Sequence, residues 1–348
     1  MKLSTFDALK RIQSKNAVQY VCMEGEILKK YHQILLEIAS DIISVCEKEK
    51  IVYQLSGGTA LGAVRHKGFI PWDDDLDINI LGSQCDEFIE KFEKDFGDKY
   101  WVNTVKTPGY FSIVGSIKMK GTVSRGFEDS NDEKCGIGID LFRIENTFDN
   151  SILRFFHGVL CMGFGFLLSC RNFYEKRKLM MELANDDKAL KKVFRIKINI
   201  GRLLSLISLK HCLITTQKCY GMCKNNKSKY VTIPAGRKHF FGELYKRDGM
   251  ENTIKVSFEG HNWEIAKNYN DYLTKLYGNY MEIPSEENRE THFRVELKFP
   301  DEKNTSNYKS LNFRLLGEMK NDSSLINSSG IRYKNGARHS EAIYSCRQ

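Results

Sequence analysis

The sequence predicts an α+β fold, in which helices surround a mixed sheet and a mostly helical insertion interrupts it. Residues 26–46 repeat apolar side chains at three- and four-residue intervals, which is typical of an amphipathic helix. Short β-like runs alternate with helical segments further on, and a glycine pair, Gly57–Gly58, stands where the first such run ends. With 348 residues and 41% hydrophobic residues, the chain is long and apolar enough to bury a large core.

The individual elements follow from local patterns. Before the first strand, residues 1–50 are expected to be mainly helical. Alternating or apolar runs predict strands, and three- to four-residue periodicity predicts helices, the last of them stopped by glycine and proline. In chain order these are a strand at 51–55, a helical turn at 59–66, a strand at 76–80, a helix at 86–96, strands at 110–119 and 138–142, and a helix at 272–284.

Composition divides the chain into four parts. Residues 1–150 are expected to hold the N-terminal helices and the catalytic core, 151–229 a basic and apolar helical insertion, and 230–299 the C-terminal part of the catalytic domain. Residues 300–348 are polar and rich in Ser and Asn, so we expect a flexible tail.

The insertion contains an uncharged segment followed by a basic one. Residues 155–170 carry no formal charge, but a membrane-spanning helix needs about 20 apolar residues. We predict a buried helix here, with an interfacial or re-entrant segment and a true span as the alternatives. The stretch 171–210 is basic and helical, so peripheral contact of 151–210 with an anionic membrane is an alternative to a solvated face.

Charge and cysteine usage restrict the partners and the compartment. Lys and Arg number 53 against 44 Asp and Glu, and this net charge of +9 suits anionic partners without choosing among them. The ten cysteines include no CxxC pair, which argues against structural zinc. Free thiols and an N-terminus without the apolar core of a signal peptide predict a cytoplasmic protein, with the inner face of the cell membrane as an alternative place.

A cluster of aspartates lies at the start of the 76–80 strand. If the strand already includes them, Asp73, Asp75 and Asp77 point to one face and Asp74 to the other. Neighbouring carboxylates on one face repel by about 2–3 kcal/mol at an effective dielectric constant of 20. A hard divalent cation reverses that repulsion, so the cluster predicts an Mg²⁺ or Mn²⁺ site that handles phosphates. Asp73 and Asp74 either extend the metal shell or repel unwanted anions.

The residues around the aspartates extend this prediction. Gly57 and Gly58, at the start of a helix that includes Thr59, offer backbone N–H groups to phosphate oxygens. Asp140 lies inside an apolar run and is the candidate for a third carboxylate beside Asp75 and Asp77, a helix cap or buried salt bridge being the alternative.

Three cations are candidates for phosphate contacts. Arg65 and Lys118 are two of them, and for each the alternative is an ordinary surface charge without a ligand. His66 is more plausible as a phosphate or structural contact than as a general base.

The stretch from Gly57 to Asp77 resembles the signature of the LicD family of phosphocholine and polyol-phosphate transferases, relatives of the fukutin proteins. Similarity extends loosely from residue 30 to 295, and it includes Lys118, residues 139–142, Tyr277, Tyr280 and His292. The resemblance implies a nucleotidyltransferase-like fold, with the metal carboxylates on Asp73, Asp75, Asp77 and Asp140. Where the family often reads Phe-Pro-Leu-Asp, this chain has Phe142-Arg-Ile-Glu145, so Glu145 is a candidate replacement for the missing acid.

The resemblance also implies an activity. We expect transfer of a phospho-alcohol from a CDP-alcohol donor to a hydroxyl of a cell-surface glycan or its lipid-linked precursor, with no nucleic acid as partner. One alternative is an NTP-dependent nucleotidyltransferase acting on a nucleic acid or small molecule. The other is a basic adaptor for membranes or nucleic acid that binds metal without catalysis.

Overall fold

The computed structural model describes residues 19–21, 23–126, 134–184, 187–286, 289, 292, 294–300, 325–326 and 332–335. The N-terminal half of this range contains β1 (Gln19–Val21), α1 (Gly25–Glu49), β2 (Tyr53–Leu55), α2 (Gly57–His66), β3 (Asp77–Leu81), α3 (Cys85–Phe96), β4 (Tyr100–Asn103), β5 (Gly115–Met119), β6 (Val123–Gly126) and β7 (Gly138–Asn146). The C-terminal half contains α4 (Ser151–Glu175), α5 (Arg177–Leu183), α6 (Lys188–Leu203), a 3₁₀ turn (Leu204–Leu206), α7 (Leu209–Tyr220), β8 (Tyr230–Thr232), α8 (His239–Gly242), β9 (Leu244–Lys246), α9 (Arg247–Glu251), β10 (Thr253–Phe258), β11 (His261–Ala266), α10 (Tyr269–Tyr277), β12 (Arg294–Lys298), β13 (Leu325–Ile326) and β14 (Arg332–Asn335).

A mixed sheet forms the centre of the molecule. Its strands follow the order β2-β3-β7-β5-β4, and β8 and then β9 extend it from the end of β7. β3 and β7 are parallel, whereas β2, β5, β4 and β8 are antiparallel to their neighbours. The predicted α+β class, with helices around a mixed sheet, is confirmed.

The two faces of this sheet differ in chemistry because side chains alternate along each strand. One face is apolar and packs with α1 and α3 into the main core, which includes Ile38 and Phe88 from these helices and Ile78, Ile117 and Ile139 from the strands. The residues between them on the same strands form the opposite, polar face: Gln54, Asp77, Asn79, Ser116, Lys118 and Asp140. The candidate site lies on this polar face.

Several predicted elements have different bounds in the structure. Helix α2 begins at Gly57, two residues earlier than expected, and β7 runs to Asn146 instead of ending at 142. β5 begins only at Gly115, because residues 105–109 form turns and 110–114 are irregular. β3 begins at Asp77, so Asp73 and Asp75 precede the strand rather than alternating along it. The hairpin of β10 and β11 was not expected.

The insertion is helical, as predicted, but its apolar segment is not buried. Helix α4 has 25 residues and leaves large apolar side chains in solvent, including Phe155, which is 56% exposed, and Phe156, which is 58% exposed. The prediction of a buried helix at 155–170 is therefore wrong. An uninterrupted run of apolar residues does not indicate whether the helix lies in the core or at the surface.

The two chain ends meet in a small sheet. β14 pairs antiparallel with both β1 and β13. The predicted helix before residue 19 lies outside the described residues, as does most of the predicted flexible tail at 300–348.

Candidate active site

The turn between β2 and α2 leads into two glycines, so it brings backbone atoms without side chains to the polar face of the sheet. Gly57 has a φ of +49°, a conformation that costs a residue with a Cβ roughly 1–2 kcal/mol. Its N–H donates to the Tyr272 hydroxyl at 2.9 Å. A Cβ on Gly58 would lie 2.9 Å from Asp73 Oδ2. The glycine pair therefore lets the N-terminus of α2 approach the aspartates closely.

Parallel pairing of β3 and β7 brings two of the predicted carboxylates side by side. Asp77 is in register with Asp140, which is in register with Ser116 on β5. Neighbouring strands lie about 4.8 Å apart, so two unit charges at this separation repel by about 3 kcal/mol at an effective dielectric constant of 20. Lys118 follows Ser116 on the same face. The pair thus lies beside a cation supplied by β5.

Asp73 and Asp75 remain close to this pair although they are not in the strand. The pKa of Asp77 is raised well above its ordinary value, first by burial and then by the charges of Asp75, Asp140 and Asp73. His292 opposes this shift. Four carboxylates therefore share one electrostatic environment, and a cation placed among them would stabilise the charged form of each.

Asp74 is buried and has a structural role, although it precedes β3 and its orientation does not follow from strand alternation. Its side chain is 2% exposed and forms an ion pair with Arg294. His292 Nδ1 lies 2.9 Å from Asp74 Oδ1, and 3.7 Å from Asp75 Oδ2. Arg294 also donates to the hydroxyl of Tyr31 at 3.0 Å. These contacts fix the loop before β3 to α1 and β12, so the expectation that Asp74 joins a metal shell or repels anions does not agree with its position.

The donor atoms around Asp77 suit a hard divalent cation in chemical type, since all are carboxylate oxygens. Among the described residues, no three or more His, Cys, Asp and Glu side chains converge closely enough to hold a metal ion. Asp77 and Asp140 are positioned by the sheet itself, whereas Asp73 and Asp75 come from irregular chain. The metal roles of Asp73, Asp75, Asp77 and Asp140 stay predictions.

The other predicted phosphate contacts have different surroundings. Arg65 donates to the carbonyls of Tyr280 at 2.8 Å and Glu282 at 3.1 Å, and its Nε donates to His66 Nε2 at 2.9 Å. Burial, and then the charge of Arg65, lower the pKa of His66, so His66 is neutral at pH 7. Arg65 thus holds the segment after α10 against α2, and His66 accepts a hydrogen bond from Arg65.

Thr59 acts on the site through the backbone. Its Oγ1 accepts a hydrogen bond from the backbone N–H of Asp77 at 2.9 Å, and the backbone N–H of Ser56 donates to the carbonyl of Asp77 at 2.9 Å. These two bonds join the start of α2 to the start of β3. Thr59 therefore positions Asp77, while its predicted phosphate contact stays a prediction.

Glu145 does not lie with the other carboxylates. It is five residues after Asp140 on β7, so its side chain is on the opposite face of the sheet. There it is 6% exposed and forms an ion pair with Arg143, with Arg143 Nε 3.0 Å from Glu145 Oε1. The expectation that Glu145 replaces a missing active-site acid does not agree with this position.

Two tyrosines and an arginine at the site had no predicted role. The Tyr272 hydroxyl is 3.1 Å from Ser56 Oγ and accepts from Asn79 Nδ2 at 3.4 Å, so it joins β2, β3 and α10. Tyr277 Oη lies 3.5 Å from the position of a Cβ on Gly57, and Asp77 Oδ2 lies 3.7 Å from that position. Arg237 lies 5.5 Å from the ring of Tyr277. Tyr277 belonged to the family-like stretch, whereas no sequence pattern marked Tyr272 or Arg237.

Comparison with known proteins agrees with this arrangement. Residues 50–149 match the family described as LicD/FKTN/FKRP, nucleotidyltransferase domain. The lipopolysaccharide cholinephosphotransferase LicD of Haemophilus influenzae is 23% identical over 281 residues, which cover 78% of this chain and 97% of that protein.

Two other relatives match shorter parts of the chain. The uncharacterized protein RP689 of Rickettsia prowazekii is 44% identical over 69 residues, 18% of this chain and 26% of its own length. The human ribitol 5-phosphate transferase FKRP is 46% identical over 46 residues, 13% of this chain and 9% of its own length. The strands β2, β3, β4, β5 and β7, the glycine turn and the aspartates of β3 and β7 all lie within 50–149, the part of the chain that matches the nucleotidyltransferase domain of the LicD family.

Proposed function

We propose that this protein transfers phosphocholine or a polyol phosphate from a CDP-linked donor to a hydroxyl group of a cell-surface glycan or its lipid-linked precursor. The observation that carries the proposal is the parallel register of Asp77 and Asp140, opposite the N-terminus of α2. The printed activities of the relatives, a cholinephosphotransferase and a ribitol 5-phosphate transferase, supply the class of transferred group.

The proposed site binds the donor through its pyrophosphate. The start of α2 lies beside the aspartates, and its backbone N–H groups after that of Gly57, which donates to Tyr272, suit phosphate oxygens. Lys118 supplies a positive charge from β5, and Arg237 supplies another beside Tyr277. Arg65 contributes by holding the segment around Tyr280 rather than by direct contact.

Asp75, Asp77 and Asp140 would hold Mg²⁺ or Mn²⁺, with Asp73 as a further ligand. The ion would neutralise charge on the pyrophosphate and on the departing nucleotide. The residues of the chain orient the donor and handle the proton of the acceptor. Asp140, exposed on its strand, accepts that proton as the acceptor oxygen forms a bond to the phosphorus of the phospho-alcohol. The bond between this phosphorus and the bridging oxygen of the pyrophosphate breaks, and CMP leaves with the bridging oxygen.

We place this reaction in the cytoplasm. The support is that seven cysteines among the described residues are free thiols, which persist in a reducing compartment, namely Cys46, Cys85, Cys161, Cys170, Cys212, Cys219 and Cys223. A lipid-linked glycan acceptor would then be met on the cytoplasmic leaflet of the membrane.

A donor panel tests the proposed function. The protein is incubated with Mn²⁺ or Mg²⁺ and either a CDP-alcohol (choline, ribitol or glycerol) or an NTP, and the released CMP and pyrophosphate are separated by chromatography. CMP released only from a CDP-alcohol supports the proposal. Pyrophosphate released from an NTP would favour nucleotidyl transfer instead, and the absence of both products with every donor would favour the adaptor hypothesis.

A further inference from the structure

Helix α4 carries a continuous apolar strip on its exposed side. The exposed side chains recur at the three- and four-residue spacing of one helix face. Nine large apolar side chains between 152 and 167 are 39–64% exposed, namely Ile152, Leu153, Phe155, Phe156, Val159, Leu160, Met162, Phe166 and Leu167. At 1.5 Å per residue the strip is about 24 Å long. A soluble surface rarely exposes so many large apolar groups together, so the strip indicates an interaction surface.

Apolar side chains at both ends lengthen the strip. At the C-terminal end of α4, Arg171 Nε donates to the carbonyl of Ile207 at 3.2 Å, which fixes the corner between α6 and α7 there. At this corner Leu203 is 80% exposed and Leu206 is 95% exposed. At the other end the ring of Phe241, 47% exposed, lies 6.0 Å from that of Phe155.

The same part of the chain carries the excess positive charge. Residues 151–220 contain 13 Lys and Arg but only four Asp and Glu, a net charge of +9 that equals that of the whole chain. The remaining residues are therefore neutral overall. Helix α6, which packs against α4, displays exposed basic side chains at helical spacing, namely Lys188, Lys192, Arg195 and Arg202. Apolar side chains beside a basic stripe are the combination that binds an anionic lipid surface.

The contacts on the buried side of α4 favour a helix that lies on a bilayer over one that crosses it. Among the described helices, α4 is long and apolar enough to span a membrane, and α6 and α7 would add a second span only as a pair bent by 99°. However, His157 is buried, with Nδ1 3.1 Å from Thr147 Oγ1 and Nε2 3.0 Å from the carbonyl of Cys219. Gly201 of α6 also approaches the carbonyl of Cys170 too closely to admit a Cβ. Spanning would remove these contacts, whereas lying on the surface keeps them.

We propose that the exposed face of α4, together with the corner between α6 and α7, docks in the plane of a bilayer rich in anionic lipids, with the basic stripe of α6 attracting the head groups. This surface borders the candidate site, since Asn172 Nδ2 donates to the carbonyl of Phe111 at 3.4 Å and the chain after Phe111 enters β5 beside Asp140. Membrane docking does not depend on the proposed reaction, and its test requires no activity.

Vesicle flotation tests the proposal with the full chain. Vesicles of phosphatidylcholine alone are compared with vesicles containing 30% phosphatidylglycerol, roughly the anionic fraction that gives a strongly negative surface. We expect binding to the anionic vesicles and at least tenfold weaker binding to the neutral ones, with the difference reduced at high salt because charges are screened. Equal binding to both vesicle types, or binding to neither, would contradict the proposal.

Two variants separate the apolar and charged contributions. Phe156→Ser with Phe166→Ser removes exposed side chains, so the fold should persist while affinity for anionic vesicles falls at least about tenfold. Lys192→Glu with Arg195→Glu should weaken the same binding and leave binding to neutral vesicles unchanged. The control, Ile254→Ser, alters an apolar side chain of β10 that is 36% exposed and should bind like the wild type.

The alternative to a membrane is a second copy of the chain bound to the apolar strip. Analytical ultracentrifugation of the same proteins tests this alternative. We expect the wild type to sediment as a monomer without vesicles. If the wild type formed a dimer that Phe156→Ser with Phe166→Ser dissociated, and neither bound vesicles, the strip would be a contact between copies and the proposal would be wrong.

Discussion

Residues 50–149, which match a nucleotidyltransferase domain, differ from the helical part of the insertion, 151–220, in the distribution of charge and of apolar side chains. Around residues 50–149, apolar side chains fill a core between the sheet and the helices α1 and α3, and the buried charge of Asp74 is paired with Arg294 of β12. In the insertion, large apolar side chains face solvent and positive charge is not balanced. The first region is organised for an internal reaction site and the second for an external surface. Substitutions in the two regions should therefore have separable effects.

The largest expected effect on stability comes from the ion pair that fixes the loop before β3. Arg294→Ala leaves the buried carboxylate of Asp74 without its cation, which should lower the free energy of unfolding by about 3–5 kcal/mol. Urea denaturation measures this change. Lys255→Ala, which removes an exposed pair with Glu47, is the control and should cost less than about 1 kcal/mol. Equal losses in the two variants would show that Asp74 does not depend on Arg294.

The next effect separates catalysis from membrane docking. Asp140→Asn removes a negative charge from the polar face, so stability should hold, while the rate of CMP release falls by about 10²–10³-fold. Flotation with anionic vesicles should not change, because Asp140 lies on the sheet and not on the insertion. Asp95→Asn on α3, whose carboxylate pairs with Lys48 at 2.6 Å, is the matched control and should retain full activity. Loss of both functions in Asp140→Asn would contradict the separation of the regions.

A pH-dependent effect is expected next to α8, the short helix that packs against α4 of the insertion. Glu243 is 2% exposed, and burial raises its pKa from 4.5 to about 7. The folded state therefore binds the proton more tightly than the unfolded state, and this group makes stability fall as pH rises from about 4.5 to 7. The full penalty, about 3 kcal/mol, is present above pH 7.

Glu243→Gln should remove this penalty, because an amide oxygen can still accept the hydrogen bond that Lys238 N–H donates to Oε1 at 2.8 Å. Urea denaturation at pH 5 should give nearly equal stabilities for variant and wild type, and at pH 8 the variant should be more stable by up to about 3 kcal/mol. A variant that is less stable than the wild type at pH 8 would show that the carboxylate is stabilised by its neighbours Arg237 and Lys238.

A smaller loss of stability than that of Arg294→Ala is expected at the glycine turn. Gly57→Ala and Gly121→Ala both place a Cβ at positive φ, +49° and +76°, and should each cost about 1–2 kcal/mol. Only the Cβ at Gly57 would contact Tyr277 Oη and approach Asp77, because nothing lies within 4 Å of one at Gly121. We therefore expect Gly57→Ala alone to lose activity at a temperature where both variants are folded. Equal activities would mean that the turn is only structural.

The features that depend on residues close together in the chain could be predicted from the sequence. The glycine turn, α2 and the strands carrying Asp77 and Asp140 follow from residue spacing, and the two aspartates meet because β3 and β7 are adjacent in the sheet. The partners of Asp74 and Arg65 were not predictable, since Arg294 and the carbonyl of Tyr280 lie more than 200 residues away along the chain. The exposure of α4 could not be predicted either. Both sides of this helix carry apolar residues, so the sequence does not indicate which side packs against the rest of the protein.

The metal dependence of CMP release tests whether the polar face of the sheet is the reaction site. The rate from a CDP-alcohol is measured against Mn²⁺ concentration for the wild type and for Asp77→Asn, with the folded fraction of each checked by circular dichroism. We expect saturable stimulation of the wild type by Mn²⁺ and no stimulation of Asp77→Asn at equal folded fraction. Normal metal-dependent turnover by Asp77→Asn would contradict the assignment of the polar sheet face as the reaction site.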